Sequence, residues 1–391
     1  MNGPLSPEER SELGKPADEA VGLPPRLYTD TAIFAAEKET IFRREWMAVF
    51  HESTIPRPRD YRVVEIAGDS LIVVRGDDGR LRCFHNICRH RGAQPASGSG
   101  NCRYFRCPYH LWTYDLTGRL VGAPTMRDLV REGVRVGNIG LNEVRVDTWL
   151  GYVFVNLDGA AQPLAERLAP LTDVAAQWQD VEVVPLYELH YPGEWNWKLT
   201  FENAADGYHN LGTHQATLQD VTPGEKAYTG STAFDVFSDL SLPFAEGKGW
   251  ADDTGAAVAF DNLPDWVPSE VRDYAVWPTF IFRPGPFNII STITIPGPTV
   301  NSVTFVWTCL VRPETRASVT FDAYLADQLR WSREVQAEDQ EACRMVWTNM
   351  HSDGFIPGPY AVGERCVYHF DQWYLARMSG ARPEGYAGAG Q

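Results

Sequence analysis

Residues 88–110 read CRHRGAQPASGSGNCRYFRCPYH, and this stretch decides the architecture of the first half of the chain. It pairs Cys88 with His90 and, after sixteen intervening residues, Cys107 with His110. On either side the sequence is built of short β-branched runs, YRVVEIAGDSLIVVRGDDGRLRCFHNIC at 61–88 and VRVDTWLGYVFVN at 144–156, broken by the turn signals Gly68-Asp69 and Gly79-Arg80. Runs of this kind predict a meander of strands. The two Cys–His pairs therefore fall on loops of a small all-β domain spanning residues 45–158.

One thiolate and one imidazole from each loop make a two-Cys, two-His set. Zinc fingers use such a set with both Cys on one knuckle and both His on a helix. Here the ligands alternate on predicted β loops. That pattern fits a Rieske [2Fe-2S] centre, in which two Cys hold one iron and two His the other, with structural zinc as the competing reading. Cys83 and Cys102 fall outside the pattern and read as ordinary thiols.

In the second half, NWKLTFENAADGYHNLGTH at 196–214 places Asp206, His209 and His214 within nine positions, behind Trp195, Trp197 and Phe201. Ionisable groups in apolar surroundings are tolerated when they are paired or bind metal. Asn203, Asp206 and His209 at i, i+3, i+6 share one face of a predicted helix. Gly212 is its expected left-handed stop, after which the loop returns His214 toward His209. Taken alone, such a pair is more often a set of core histidines than a metal site.

The longer stretch CRHRGAQPASGSGNCRYFRCPYHLWTYDLTGRL (88–120) resembles the cluster loops of the Rieske non-haem iron oxygenases, the ring-hydroxylating dioxygenase alpha subunits and their monooxygenase relatives. FENAADGYHNLGTH (201–214) resembles that family's mononuclear iron motif, and the likeness runs from about residue 40 to HFDQWYLARM at 369–378. The texture of the chain divides it into an N-terminal arm and helix (1–44), the Rieske domain (45–158), a linker with a helix (159–181) and a catalytic domain (182–391). Residues 1–26 read as a loose arm and Asp30 as the N-cap of the helix that follows. The fold class expected is α+β, with an all-β Rieske domain and a catalytic domain whose antiparallel sheet is packed by helices. One departure is visible: the position after the second cluster histidine, often Gly in the family, is Leu111.

The resemblance implies a mononuclear Fe(II) held by His209, His214 and a carboxylate from an acidic helix near the C-terminus, the two-His-one-carboxylate arrangement that leaves positions open. Within SREVQAEDQEACRMVW (332–347), Val335, Ala342, Cys343 and Val346 recur at helical spacing and Asp339 falls on their stripe. Glu334, Glu338 and Glu341 group about a quarter turn away and read as solvated. Asp339 is the expected third ligand and Glu338 its rival. Asp206 matches the family's acid that contacts an iron-binding histidine and hydrogen-bonds a cluster histidine of the neighbouring subunit, an inter-subunit electron-transfer bridge. Asn203 is expected on the substrate pocket. His51, His85, His190, His351 and His369 match no ligand position and read as solvated or structural.

The family also implies O2 as co-substrate and electrons from a ferredoxin and/or flavin reductase, with NAD(P)H acting only through that reductase. A homotrimer is expected, with or without a small beta subunit. The activity expected is that of a terminal oxygenase hydroxylating, by dihydroxylation or monooxygenation, an aromatic or other hydrophobic small molecule. Oxidative demethylation of a quaternary ammonium or methoxy compound is the alternative, for which thirteen Trp offer material for an aromatic cage. A Rieske electron-transfer protein is the reading outside the oxygenases.

Composition agrees with these expectations. A chain of 391 residues exceeds a single core and predicts two domains. The formal charge of −16 argues against nucleic acid and anionic membranes as partners. The N-terminal sequence lacks the apolar run of a signal peptide, and seven cysteines, an odd count, favour reduced thiols and a cytoplasmic location. The Gly/Asp-rich segment EGKGWADDTGAAVAFDN (246–262) reads as a mobile cover over a pocket.

Overall fold

The structure, a computed structural model, describes residues 4–125, 139–179, 181–230 and 232–380. The chain forms two compact units, Phe42–Leu164 and a discontinuous one made of Met1–Ile41 with Ala165–Gln391.

The first unit is built on a seven-stranded sheet in the order β1-β10-β9-β4-β3-β2-β5. Its strands are β1 (Met47–His51), β2 (Asp60–Ile66), β3 (Asp69–Arg75), β4 (Leu81–His85), β5 (Ser99–Asn101), β9 (Glu143–Trp149) and β10 (Tyr152–Asn156). β2 and β3 pair from Ile66 opposite Asp69, so the hairpin turns in two residues, Ala67 and Gly68, at φ 50° and 89°. Two positive φ values make the mirror-image turn whose twist suits a hairpin. A small sheet, β6 (Phe105–Arg106), β7 (Thr113–Tyr114) and β8 (Leu120–Gly122), carries the second Cys–His pair. It is anchored by Phe105, Trp112 and Tyr114, which pack with Ile72, Val74 and Phe84 of the large sheet. Gly118 takes φ 82°, and a Cβ there would come within 2.5 Å of the Phe84 ring.

The second unit has an antiparallel sheet in the order β11-β17-β16-β15-β14-β13-β12. The strands are β11 (Val184–Gly193), β12 (Thr232–Ala233), β13 (Phe237–Pro243), β14 (Glu270–Val276), β15 (Phe280–Pro284), β16 (Asn288–Pro296) and β17 (Val303–Val311). The sheet is packed by α3 (Trp197–Ala204), α4 (Phe321–Asn349) and α5 (Arg365–Ser379), and the N-terminal segment adds α1 (Pro7–Ser11), against α5, and α2 (Thr31–Glu37). Asp30 does cap α2, accepting from Ala32 N, but the α-helix ends at Glu37 and continues as a π-helical turn over Lys38–Phe42. No helix among the described residues is long and apolar enough to cross a membrane.

Residues 4–26 are not a loose arm. Leu5, Ala20 and Leu23 are buried. Gln372 of α5 accepts from Gly14 N at 2.6 Å and donates to Glu12 O at 3.0 Å, while Tyr368 donates to Lys15 O at 2.7 Å. Further along, Glu37 is fully buried and meets Lys198, Trp197 Nε1 (2.8 Å) and the Tyr374 hydroxyl (2.7 Å). A buried carboxylate is tolerated because all these donors converge on it. The sequence hid this because each partner lies at least 160 positions away.

Candidate metal centres

The helix expected to run through His209 stops earlier. α3 ends at Ala204, and Asp206 accepts a hydrogen bond from Tyr208 N at 2.6 Å, closing a local turn that competes with helical bonding. His209 stands instead on a single 3-10 turn, Tyr208–Leu211. Gly212 has φ −112°, in the right-handed region, so no left-handed glycine stop is used. The chain nonetheless doubles back, and the His209 and His214 rings lie 4.8 Å apart.

α4 supplies the third group. Asp339 lies on the face marked by the buried Val335 and Cys343, although the apolar stripe ends there, since Val346 is 41% exposed. Its Oδ1 is 2.9 Å from His214 Nε2 and 3.4 Å from His209 Nε2. One ligand atom from each of His209, His214 and Asp339 fits within a 4.8 Å span. Three of these residues' buried atoms, His209 Nδ1 and Nε2 and Asp339 Oδ1, complete no hydrogen bond. Burial lowers the pKa of His209, yet Asp206 and Asp339 beside it raise it to about 10, the signature of a negative pocket that attracts a cation. Converging unpaired donors in a negative field fit a divalent metal ion of the imidazole-and-carboxylate type.

Glu338 does not lie on a solvated stripe. Its Oε2 accepts from His214 Nδ1 at 2.7 Å and from the Thr217 hydroxyl at 2.6 Å, which turns Nε2 of the imidazole toward Asp339. Asp206 Oδ2 lies 3.3 Å from His209 Nδ1 in the matching position on the other histidine. Gln336 donates to Asp339 Oδ2 at 2.9 Å. Carboxylates behind metal-binding histidines fix the ring orientation. Sequence reasoning missed Gln336, although it precedes Asp339 by three positions and so shares its helical face.

Two chambers lie in this unit, and the triad lines one of them. The inner one is lined by Asn203 and by Leu240, Ile281, Phe305 and Trp307. The outer one is walled by Phe244, Trp250, Phe287 and Trp331. Leu218, Leu242, Arg283 and Ile290 belong to both walls. The 246–262 segment contributes Gly249, Trp250 and Ala251 to the outer wall. It is pinned by buried Ala256 and Phe260 and by Asp252, which accepts from Thr254 N and Ala257 N.

In the β unit, Cys88 and Cys107 are buried whereas His90 is half-buried and His110 exposed. The two Nδ1 atoms face each other at 3.1 Å, and the His90 ring stacks on Trp112 at 4.9 Å. Two imidazole nitrogens this close share either a proton or a cation. Tyr114 holds the first loop, with its hydroxyl 3.2 Å from Cys88 Sγ and accepting from Arg89 N at 3.0 Å. The second loop closes on itself through Cys107 N to Trp112 O (2.8 Å) and Leu111 N to Cys107 O (3.0 Å). Leu111 is 52% exposed and sits at φ 60°, the left-handed region glycine prefers. A donor set of two sulfurs and two imidazole nitrogens fits a Rieske cluster. Cys83 is buried in the core and Cys102 partly so. Of the other histidines, His51 and His369 are buried and structural, while His190 and His351 are exposed.

Comparison with known proteins then decides the family. Residues 181–380 match the family described as "Ring hydroxylating alpha subunit (catalytic domain)" and residues 45–138 the "Rieske [2Fe-2S] domain". The chain belongs to the Rieske ring-hydroxylating oxygenase family. Its cofactors are accordingly a [2Fe-2S] cluster and a mononuclear iron. The glycine betaine monooxygenase oxygenase subunit of Chromohalobacter salexigens is 37% identical over 200 residues, 51% of this chain and 44% of that protein. The 2-aminobenzenesulfonate 2,3-dioxygenase subunit alpha of Alcaligenes sp is 38% identical over 191 residues, 48% of each. The matched region thus spans less than half the length of either relative. Chloroplastic choline monooxygenase of Arabidopsis thaliana matches more widely, 28% identical over 91% of this chain and 82% of its own. Among solved structures, a quaternary ammonium Rieske monooxygenase has a TM-score of 0.79 at 22% identity, covering 97% of this chain and 100% of that one. Naphthalene 1,2-dioxygenase from Rhodococcus sp. has 0.75 at 21%, covering 92% and 95%. These likenesses are of fold.

Proposed function

We propose that this Rieske oxygenase is the terminal component of an O2-dependent hydroxylating system, with His209, His214 and Asp339 holding the iron and Cys88, His90, Cys107 and His110 the cluster. The observation that carries the reading is the convergence of His209 Nε2, His214 Nε2 and Asp339 Oδ1 beside a cavity while three atoms of these residues lack hydrogen bonds. When bound, the cluster supplies single electrons and the iron supplies the site at which O2 is activated. The protein's own groups do the rest. Glu338 and Asp206 orient the two imidazoles, Gln336 holds Asp339, and the apolar walls at Leu240, Ile281 and Phe305 exclude bulk water from a bound substrate. In a monooxygenation, one oxygen atom enters the substrate and the other leaves as water, consuming two electrons and two protons. A cytoplasmic ferredoxin or flavin reductase is the electron donor in this reading, and Asp206 bridges to the cluster of the neighbouring subunit in a homotrimer.

An aromatic or other compact apolar substrate suits these walls. Oxidative demethylation of a quaternary ammonium compound is the second reading, favoured by Phe305 and Trp307, whose rings meet edge to face 6.3 Å apart on the chamber wall. Iron content and oxygen uptake test the proposal together. The purified protein should hold about three irons per chain, two with the cluster's spectrum. Asp339→Ala should lose the third together with reductase-driven oxygen uptake while leaving that spectrum intact. A variant retaining all its iron and its turnover would remove Asp339 from the site.

A further inference from the structure

Arg283 lies on β15, on the wall common to the two chambers, opposite Ile290 of β16 in register. Its Nε and Nη2 donate to the two oxygens of Asp273 on β14, a carboxylate that is 1% exposed. A guanidinium has five N–H donors, so this fork leaves Nη1 and the outer hydrogen of Nη2 without a protein acceptor among the described residues. The side chain is 20% exposed, and it lines the two chambers. Burial lowers its pKa, but Asp273 and, further off, Asp339 raise it, so the charge persists.

Among the described residues of the two walls, no other cation lacks acidic partners. Around the inner chamber the formally charged side chains are Asp206, Asp273 and Asp339 against Arg283. A divalent ion at the triad brings that set to neutrality, so an arriving anion meets no net repulsion. Arg330, the other arginine on the outer wall, is engaged with Asp327 and Glu334. Donor hydrogens left unmet beside an apolar cavity are costly unless a ligand or water takes them, and a planar guanidinium edge suits an oxyanion.

We propose that Arg283 binds an anionic group of the substrate at the neck between the chambers, so that the enzyme selects small molecules carrying a carboxylate or sulfonate and presents their other end to the His209–His214–Asp339 triad. This rests on the oxygenase reading of that triad and adds the substrate class. Arg283 is here a specificity-determining residue. Asp273 holds its guanidinium in place and takes no part in contacting the substrate.

Equilibrium binding followed by quenching of the chamber tryptophans, Trp250, Trp307 and Trp331, tests this without requiring turnover. The probes are glycine betaine against choline, and 2-aminobenzenesulfonate against aniline. The wild-type protein should bind the carboxylate- or sulfonate-bearing member of at least one pair about tenfold or more tighter, and the pair that discriminates tells carboxylate from sulfonate. Arg283→Gln should bring the two members to parity, and Arg283→Lys should recover part of the preference. Asp273→Asn, whose amide oxygen still accepts one bond from the guanidinium, should keep most of it; an ion pair that served only to brace the sheet would fail alike in the Arg283 and Asp273 variants, for every probe. Members that lack the carboxylate or sulfonate binding as tightly as those that carry it, or a preference that survives Arg283→Gln, overturns the proposal. Hydroxylation of neutral arenes with no anion preference would sink this inference and leave the oxygenase reading standing. Anion-selective binding in a protein that consumes no O2 would do the reverse.

Discussion

Glu338 shows how far one side chain can stand from what its helical phase suggests. Placed by periodicity among solvated acids, it instead accepts the Nδ1 proton of His214, because the 212–220 turn brings that histidine against α4 from outside the helix. Removing such a carboxylate from behind a metal-binding histidine weakens metal binding by about 10- to 100-fold. Glu338→Ala should therefore raise the iron concentration needed for half-occupancy by about tenfold, while Glu338→Gln, which keeps an oxygen acceptor, should cost less; iron titration of the metal-free protein reads both. Wild-type occupancy in Glu338→Ala would restore the solvated reading. Asp339, by contrast, was legible, since an acid in line with Val335 and Cys343 demands a partner. Leu111 was legible only as a departure, and its cost is conformational, with the side chain itself pointing into solvent.

At the scale of elements, strands were read more reliably than the joints between them. The catalytic domain's expected antiparallel sheet is present, with 280–284, 288–296 and 303–311 among its strands, and the helical spacing read over 332–347 extends through α4, Phe321–Asn349. The break after Ala204 escaped detection because a single Asx-type bond, Asp206 to Tyr208 N, outweighs continuation of a periodic pattern. Packing between elements also sets ionisation. His369 of α5 is buried against β13, sharing a 2.9 Å hydrogen bond with the Ser238 hydroxyl, and burial, reinforced by Arg365, lowers its pKa to about 4. An unfolded chain protonates this histidine near pH 6.5. Between those values the unfolded state binds more protons, so stability present above pH 6.5 is lost as pH falls toward 4. The loss amounts to about 2 kcal/mol by pH 5. His369→Gln should melt lower near pH 7.5 but show a smaller further drop at pH 5 than wild type. Equal drops would mean that His369 does not titrate in this way.

For the whole molecule, the proposed path of the electron can be tested by mixing. His110→Ala removes a cluster ligand and His209→Ala an iron ligand, and each homo-oligomer should be inactive. If each cluster serves the iron of a neighbouring subunit, equal co-assembly should recover roughly a quarter of wild-type activity, since half the clusters meet half the irons at random. Transfer within one chain recovers none, and zero activity in verified mixed oligomers would exclude the inter-subunit route and the bridging role of Asp206. The two-domain plan was visible in the change of texture along the chain, but the membership of residues 4–41 was not, because their contacts are made with residues far downstream. That placement has a consequence for biosynthesis. The β unit, Phe42–Leu164, is contiguous and can close as soon as it leaves the ribosome. The segment that emerges before it must wait for Lys198, Gln372 and Tyr374, so it is translated ahead of the β unit yet finds its place after it.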